Sequence, residues 1–157
     1  MKNQIIKDPS PPVLDYEFYK EWFEEILEEK SLISLASSVD NIPNNRILSY
    51  IYLKNENLIL IQTDDSLKVK EFNKNKNVSF VTIPEKNETT YVRICNGYIK
   101  KSEKDITEVY KLFYKKYPEW YVEDSYYSRY GIIYEVHFSK VNICYAPFAG
   151  CEEIIEV

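Results

Sequence analysis

Four residues in the first half of the chain have the side chains and the order that phosphate binding requires. Arg46 lies in one run of strand-forming residues, and Thr63, Ser66 and Lys68 lie at the end of the next run and just after it. Polar turn formers at 54–57 separate the two runs, which predicts a β-hairpin. The hairpin would bring the three later residues back beside Arg46. Because a guanidinium gives forked donors and an ammonium a point charge, the set predicts a phosphate cradle.

A short helix predicted over residues 66–74 would strengthen this cradle. Its first turn carries the Ser-x-Lys element, so free backbone amides and the helix dipole would also face the phosphate. In the competing interpretation, Arg46 pairs with a carboxylate, Lys68 and Lys70 are solvated, and the two hydroxyls only cap the helix. Lys70 replaces Lys68 in the cradle if Lys68 points outward.

The rest of the chain must fold so as to position these residues. Strands are predicted at 32–39, 46–53, 57–63, 77–83, 89–101 and 131–146, the last of them bent or broken. Few helices interrupt these strands, which favours a small closed or split barrel over a doubly wound fold. With only three glycines, the chain contains neither a G-x-G-x-x-G motif nor a phosphate-binding P-loop.

Two longer helices are predicted to flank the strands. The first begins near Asp15, and its glutamates fall away from its apolar face, which predicts a solvated acidic side rather than a metal site. The second follows a capping box at 102–105 and ends before Pro118. The aromatic stretch 120–127 lacks helical or strand periodicity and is predicted to be a connector.

Length and charge limit the class of protein. The 157 residues predict one domain over 1–157, with an extended arm at 1–13 that contains three prolines. A net charge of -5 and a pI near 5.1 argue against nucleic-acid and anionic-membrane partners. No apolar stretch approaches the roughly 20 residues that span a bilayer, and no signal peptide is recognised, so a cytoplasmic protein is expected.

The cysteines and the single histidine give no catalytic or metal signal. Cys95, Cys144 and Cys151 are odd in number and lack Cys-x-x-Cys spacing, so they are interpreted as free thiols. His137 lies in an alternating strand pattern and is interpreted as an ordinary strand residue, with a ligand-contacting role as the alternative. No nucleophile and base pair of a hydrolase is recognisable, and no catalytic residue is assigned.

Several of these segments together resemble the FMN-binding split-barrel family, the pyridoxamine 5'-phosphate oxidase-like flavoproteins, in their general-stress-protein-like branch. The segments that carry the resemblance follow the family's order and are the strand 32–38, the Arg46 strand 46–50, Thr63 with Ser66-Leu67-Lys68, and the strand 92–99. The resemblance covers roughly residues 24 to 117. It implies a mainly β fold, a six-stranded antiparallel split β-barrel with peripheral helices.

The resemblance also implies a cofactor and a partner. Such proteins are homodimers with FMN at the interface, so a homodimer with two FMN sites is expected here. The implied cofactor-binding residues are Arg46, Ser66 and Lys68 at the phosphate, Ile47, Leu48 and Ser49 along the flavin ring, and Gln62 and Thr63 at the following strand end. Thr63 stands one residue closer to the Ser-x-Lys element than in many family members.

The implied function is an FMN-dependent oxidoreductase or flavin reductase acting on a small organic substrate. The alternative is a flavin-binding protein without turnover, acting in storage, sensing or interaction. A third hypothesis is a haem- or deazaflavin-binding relative. No Arg or Lys follows Lys140, which disfavours a true vitamin B6 phosphate oxidase. The aromatic stretch 120–130 and the segment 145–151 are the expected walls of the substrate pocket.

Overall fold

The first helix packs its apolar face against the sheet. The computed structural model describes residues 16–146 and 150–157, so the arm predicted at 1–13 lies outside the described residues. Helix α1, Tyr16–Glu29, begins next to the predicted position. Phe23 and Leu27 are fully buried in the main core, with Tyr19 and Ile26 beside them. The predicted amphipathic face is therefore the packing face.

The described residues contain one antiparallel sheet of nine strands. These are β1 (Leu32–Val39), β2 (Ile42–Ser49), β3 (Ile51–Leu53), β4 (Leu58–Thr63), β5 (Asn77–Thr82), β6 (Tyr91–Lys101), β7 (Ile132–His137), β8 (Lys140–Ala146) and β9 (Cys151–Glu156). Their order is β2-β1-β5-β6-β7-β4-β3, with β8 paired to β6 and to β9.

The strand order itself shows how the sheet closes. Its two ends, β2 and β3, are joined in the chain by the single residue Tyr50. The sheet must therefore curl until its two edges meet. Tyr50 is fully buried at this junction, and its hydroxyl donates to the carbonyl of Leu27 at 2.8 Å. The predicted strand 46–53 is thus two strands that belong to opposite edges.

The long strand β6 explains why the barrel is split. Its C-terminal half, 98–101, pairs with β7, whereas its N-terminal residues 91–93 pair with β8. Strands β7 and β8 therefore diverge along the same edge of β6. The predicted strand 131–146 is broken between them, and β9 is a strand that the sequence pattern did not predict. The antiparallel split-barrel class is confirmed, although six predicted strands become nine.

Two apolar clusters hold the sheet and helices together. The larger fills the barrel and contacts α1, and the smaller lies between the sheet and α3 (Ile106–Lys116). Strand β4 contributes to both, because Ile59 and Ile61 face one cluster while Leu58 and Leu60 face the other. Burial on both faces explains why β4 reads as a continuous apolar run.

The remaining helices are short and lie near the ends of the strands. They are α2 (Leu67–Lys74) and α4 (Tyr126–Tyr130), and a 3-10 turn occupies Lys54–Glu56. Helix α3 ends before Pro118 as predicted, but its N-cap is Asp105, whose carboxylate accepts from the amide of Glu108 at 3.0 Å. The capping box predicted to start at Ser102 is therefore wrong, since the Ser102 hydroxyl donates to Glu135 instead.

The acidic side of α1 is not wholly solvated. Glu24 is buried and forms a 2.9 Å ion pair with Lys54, which corrects the expectation that all of these glutamates face water. Within 16–146 and 150–157, no group of histidine, cysteine or carboxylate side chains is arranged to hold a metal ion. No helix in these two ranges is long and apolar enough to cross a membrane.

Candidate functional site

A cleft of about 590 Å³ lies between the sheet, α2 and the stretch that follows α3. Four of the predicted site residues line it, namely Ser49, Gln62, Thr63 and Lys68. The opposite wall is mainly aromatic, and its side chains come from Tyr110, Trp120, Tyr121, Val122, Ser125 and Tyr127. The polar wall therefore comes from the predicted hairpin and the residues that follow it, and most of the aromatic wall comes from the predicted connector.

The hairpin is real but shorter than predicted. Strands β3 and β4 pair from Ile51 with Leu60 to Leu53 with Leu58, and this brings Ser49 and Gln62 to the same cleft. Strand β2 does not pair with β4. It pairs with β1, where Arg46 lies opposite Leu35. The expectation that the hairpin carries Arg46 beside Thr63 is wrong, because the chain changes sheet edge at Tyr50. Arg46 does not line the cleft.

Helix α2 is what holds Arg46 near the other predicted cradle residues. The guanidinium Nη2 forms an ion pair with Glu71 and donates to Ser37 Oγ at 3.1 Å, and its Cζ lies 5.5 Å from the ring centroid of Phe72. Lys68 is one helical turn before this pair, so Arg46 contacts the face of α2 that carries Lys68. The competing interpretation, in which Arg46 pairs with a carboxylate, is therefore partly correct.

Glu71 is the centre of a local hydrogen-bond network. Ser37 Oγ donates to it at 2.7 Å, Asn44 Nδ2 at 2.8 Å, and Arg46 completes the set. Burial raises the pKa of the Glu71 carboxyl, but these three donors outweigh burial and lower the pKa below its ordinary value. Glu71 is thus a carboxylate at neutral pH and offsets much of the Arg46 charge.

The other predicted cradle residues differ in how available they are. Ser66 is the N-cap of α2, yet its hydroxyl makes no capping hydrogen bond. Lys68 is half-buried and lines the cleft, whereas Lys70 is exposed and does not. The Thr63 hydroxyl is buried and donates to the carbonyl of Asp64 at 3.1 Å. Lys68 is therefore the best placed of these residues for a ligand in the cleft, since Ser66 lies outside the lining and the Thr63 hydroxyl is already engaged.

Two apolar residues predicted to lie along a flat ligand point in different directions. Ile47 is 63% exposed, whereas Leu48 packs against the main core. Alternation along β2 explains the difference, since successive side chains point to opposite faces. Ile47 offers an apolar surface to a ligand or partner, and Leu48 contributes to the site only through its backbone and its packing.

Gln62 is held by the short helix α4. Its Nε2 donates to the carbonyl of Tyr127 at 2.7 Å. The approach of Gly131 is so close that a Cβ there would lie 2.4 Å from the same nitrogen. A larger residue at 131 would therefore displace the amide.

The described residues contain four buried side-chain polar atoms that lack a hydrogen-bond partner. They are Arg46 Nη1, Gln62 Oε1, Ser66 Oγ and Arg93 Nε. Three of the four belong to residues that the sequence assigned to ligand binding. Because an unpaired buried polar atom costs about 1–3 kcal/mol, such atoms call for a partner. The set, a cationic donor, a hydroxyl and an amide acceptor, fits a ligand with an anionic end and a polar ring.

Sequence reasoning missed Glu71, which has no local signature of function because its contacts are distant in sequence. Tyr121 and Tyr127 lie in the stretch 120–130 that was predicted to form a pocket wall, although neither was singled out. The Tyr121 hydroxyl lies 2.9 Å from Ser49 Oγ across the cleft. Only the density of aromatic residues after α3 pointed to this wall.

A comparison with protein families decides the assignment. The family model described as pyridoxamine 5'-phosphate oxidase-like matches residues 26–145. The chain belongs to this family. No curated protein matches the sequence.

Solved structures of similar fold have diverged far in sequence. General stress protein 26 from Bacillus anthracis is 15% identical with a TM-score of 0.67, and the match covers 88% of this chain and 98% of that one. An FAD-binding protein from Mesorhizobium loti is 15% identical with a TM-score of 0.60, covering 77% and 90%. A heme binding protein from Mycobacterium smegmatis is 13% identical with a TM-score of 0.64, covering 87% and 57%.

Proposed function

We propose that this protein binds flavin mononucleotide in the cleft and uses it as an oxidoreductase. The observation that carries the proposal is the set of unpartnered buried atoms, because Arg46, Gln62 and Ser66 supply three of the four in the described residues. Of these three residues, Gln62 lines the cleft, whereas Arg46 and Ser66 lie outside its lining. Membership of the pyridoxamine 5'-phosphate oxidase-like family and the flavin named for one structural neighbour support a flavin-type cofactor.

The phosphate is assigned to Arg46, Ser66 and Lys68. Arg46 Nη1 and Ser66 Oγ are buried without partners, and Lys68 lines the cleft at the first turn of α2. The helix N-terminus adds a favourable dipole. Arg46 and Ser66 lie outside the cleft lining and both donor atoms are covered from solvent in the free chain, so phosphate binding requires these side chains to reorient.

The ring is assigned to the strand ends beside the phosphate. Ile47, Leu48 and Ser49 follow Arg46 along β2, and Gln62 and Thr63 end β4. Ser49, Gln62 and Thr63 line the cleft, whereas the exposed Ile47 lies outside its lining. A bound flavin supplies hydride and electron chemistry, while the chain supplies position, polarity and access.

Titration of FMN and riboflavin tests the phosphate assignment. Losing one charge-assisted contact costs about 1.5–3 kcal/mol, or roughly ten- to a hundredfold in affinity. Arg46→Ala and Lys68→Ala should therefore weaken FMN binding while leaving riboflavin binding nearly unchanged. Lys70→Ala is the matched control, because it removes the same charge from an exposed position on the same helix. Equal affinity for both flavins in the wild-type protein contradicts the proposal.

The proposal includes a homodimer whose second subunit covers the flavin. Exposed apolar side chains near the cleft support it, since Ile47 is 63%, Trp120 55% and Tyr127 45% exposed. Aromatic residues are enriched at subunit interfaces. Sedimentation should give about twice the chain mass of 18.7 kDa. A monomer that binds FMN fully would rule out the shared site.

The aromatic wall favours a flat or apolar electron acceptor or donor. Five residues of the stretch 120–130 contribute to this wall together with Tyr110 of α3, and they are Trp120, Tyr121, Val122, Ser125 and Tyr127. The second predicted wall, 145–151, does not contribute through Tyr145, which packs on Trp22 at 5.6 Å between ring centroids, and 147–149 lie outside the described residues. Negligible oxidation of pyridoxine phosphate is expected, because among the described residues Lys68 is the one Lys or Arg that lines the cleft and no Arg or Lys follows Lys140 in the sequence. Saturable oxidation of that compound would refute this substrate class.

An absorbance spectrum separates this proposal from its alternatives. Haem ligation by the only imidazole is disfavoured, because His137 lies on β7, away from the cleft, and pairs with Glu135 at 2.8 Å. A flavin spectrum that a reduced nicotinamide nucleotide bleaches and an electron acceptor restores supports an oxidoreductase. Bound flavin without turnover supports the storage or sensing alternative. A Soret band would indicate haem and a deazaflavin spectrum would indicate a deazaflavin, and either result would refute the FMN assignment.

A further inference from the structure

We infer that Gln62 selects ligands that present a ring N–H to the cleft, and that α4 fixes this selectivity. The inference rests on the proposed flavin site and adds the ligand edge that Gln62 recognises. Its basis is the orientation of one side-chain amide, whose nitrogen already donates to the Tyr127 carbonyl and whose oxygen has no partner.

The amide orientation follows from its single hydrogen bond. Gln62 Nε2 lies 2.7 Å from the carbonyl oxygen of Tyr127, so the NH₂ group donates there. The reversed amide would place two oxygens in contact, which is repulsive. Gln62 Oε1 is therefore the free end, and it is buried without a partner. Only a donor completes its hydrogen bonding.

Gly131 and Tyr127 limit the movement of this amide. A Cβ at Gly131 would lie 2.4 Å from Gln62 Nε2 and 2.8 Å from the Tyr127 carbonyl. Glycine at this position thus lets the backbone at the end of α4 approach the amide closely. Tyr127 and Gly131 act as positioning residues, because they touch Gln62 rather than the ligand.

The ligand group that fits is the imide N–H of the flavin ring. In an oxidised flavin ring, N3–H is the only N–H, and two carbonyl acceptors flank it. Gln62 Oε1 is covered from solvent in the free chain, so the ring must displace the atoms that cover it. The hydrogen bond then forms away from water, where the loss of a partner is costly.

N3-methyl riboflavin is the probe, because methylation removes this donor and keeps both carbonyls. The wild-type protein should bind riboflavin roughly ten- to a hundredfold more tightly than the N3-methyl analogue. Gln62→Met keeps the length of the side chain but removes the acceptor, so the two affinities should become nearly equal. Lys70→Ala is the control, since Lys70 is exposed and does not line the cleft, and it should keep the wild-type preference.

Gly131→Ala tests the positioning role. It should reduce the preference for the N–H ligand severalfold by displacing the Gln62 amide, while the protein keeps FMN binding through its phosphate contacts. Unchanged preference in Gln62→Met overturns the inference even if Gly131→Ala fails to fold. Absence of flavin binding in the wild-type protein would instead refute the proposed function, whereas flavin binding with no N3 preference refutes only this inference.

Discussion

Replacing Glu71 with glutamine separates a structural role of Arg46 from a ligand-binding role. The substitution keeps the side-chain shape and one acceptor but removes the negative charge that Arg46 contacts. The Arg46 and Glu71 side chains are only 15% and 19% exposed, so the ion pair is intermediate between a surface pair, worth up to about 1 kcal/mol, and a buried pair, whose disruption costs about 3–5 kcal/mol. We expect Glu71→Gln to lower the free energy of unfolding by about 2 kcal/mol, measured by urea denaturation.

The same substitution should improve FMN binding if Arg46 contacts the phosphate. Without the Glu71 carboxylate, the Arg46 charge is no longer offset, so the ratio of FMN to riboflavin affinity should rise about tenfold, which corresponds to about 1.4 kcal/mol. Ser37→Ala is the control, because it removes a neutral donor to Glu71 and leaves the carboxylate charge. An unchanged ratio together with lower stability would refute the ligand-binding role and leave Arg46 as a link between β2 and α2.

The acid limb of the stability curve gives an independent check. Three donors hold the pKa of Glu71 below its ordinary value despite burial. Its stabilising contribution is therefore complete above the unfolded pKa of about 4.3 and is lost as the pH falls through the lower folded value. The stability difference between the wild-type protein and Glu71→Gln should be constant near neutral pH and shrink below about pH 4.

Two further substitutions test the junction that closes the barrel. Tyr117→Phe should lower the free energy of unfolding by about 1–3 kcal/mol, because the Tyr117 hydroxyl accepts from the Tyr50 amide at 3.3 Å and lies 2.9 Å from the Ser31 carbonyl. Tyr114→Phe is the control, since the Tyr114 side chain is half-exposed. An equal loss of stability in the two variants would contradict the reasoning. Burial lowers the pKa of Lys116 to about 8, so the unfolded chain binds more protons above that value, and the wild-type protein should gain stability relative to Lys116→Met between about pH 8 and 9.5. A flat difference over this range would show that Lys116 is solvated.

Local patterns predicted the elements well and their partners less well. The predicted bounds of β1 were correct. Helix α1 and strand β4 start within one residue of their predicted positions, and β5 ends one residue earlier than predicted. These elements have either a strong apolar periodicity or, in β4, a continuous apolar run, and polar or turn-forming residues flank them. The break at Tyr50 has no such signal, because 46–53 is equally suited to a strand throughout. Only closure of the sheet requires β2 and β3 to belong to different edges.

The candidate site was predictable to the extent that it lies within a few residues of the hairpin. Ser49, Gln62 and Lys68 reach the cleft because β3, β4 and α2 follow one another closely in the chain. The partner of Arg46 was not predictable, since nothing in the sequence distinguishes Glu71 from the other glutamates. Selection of that glutamate requires the pairing of β1 with β2 and the packing of α2 over them.

The closure of the barrel and the shape of the cleft depend on the same junction. Tyr50 joins the two edges of the sheet, and its neighbour Ser49 faces the cleft. Tyr117 contacts the Tyr50 backbone and stacks on Trp120 at 5.1 Å between ring centroids, and Trp120 begins the aromatic wall. Tyr121 then returns to Ser49 with a 2.9 Å hydrogen bond. The contacts that fix the two sheet edges therefore also fix the distance between the polar and aromatic walls, so the width of the cleft is set by the fold and not by the connector alone.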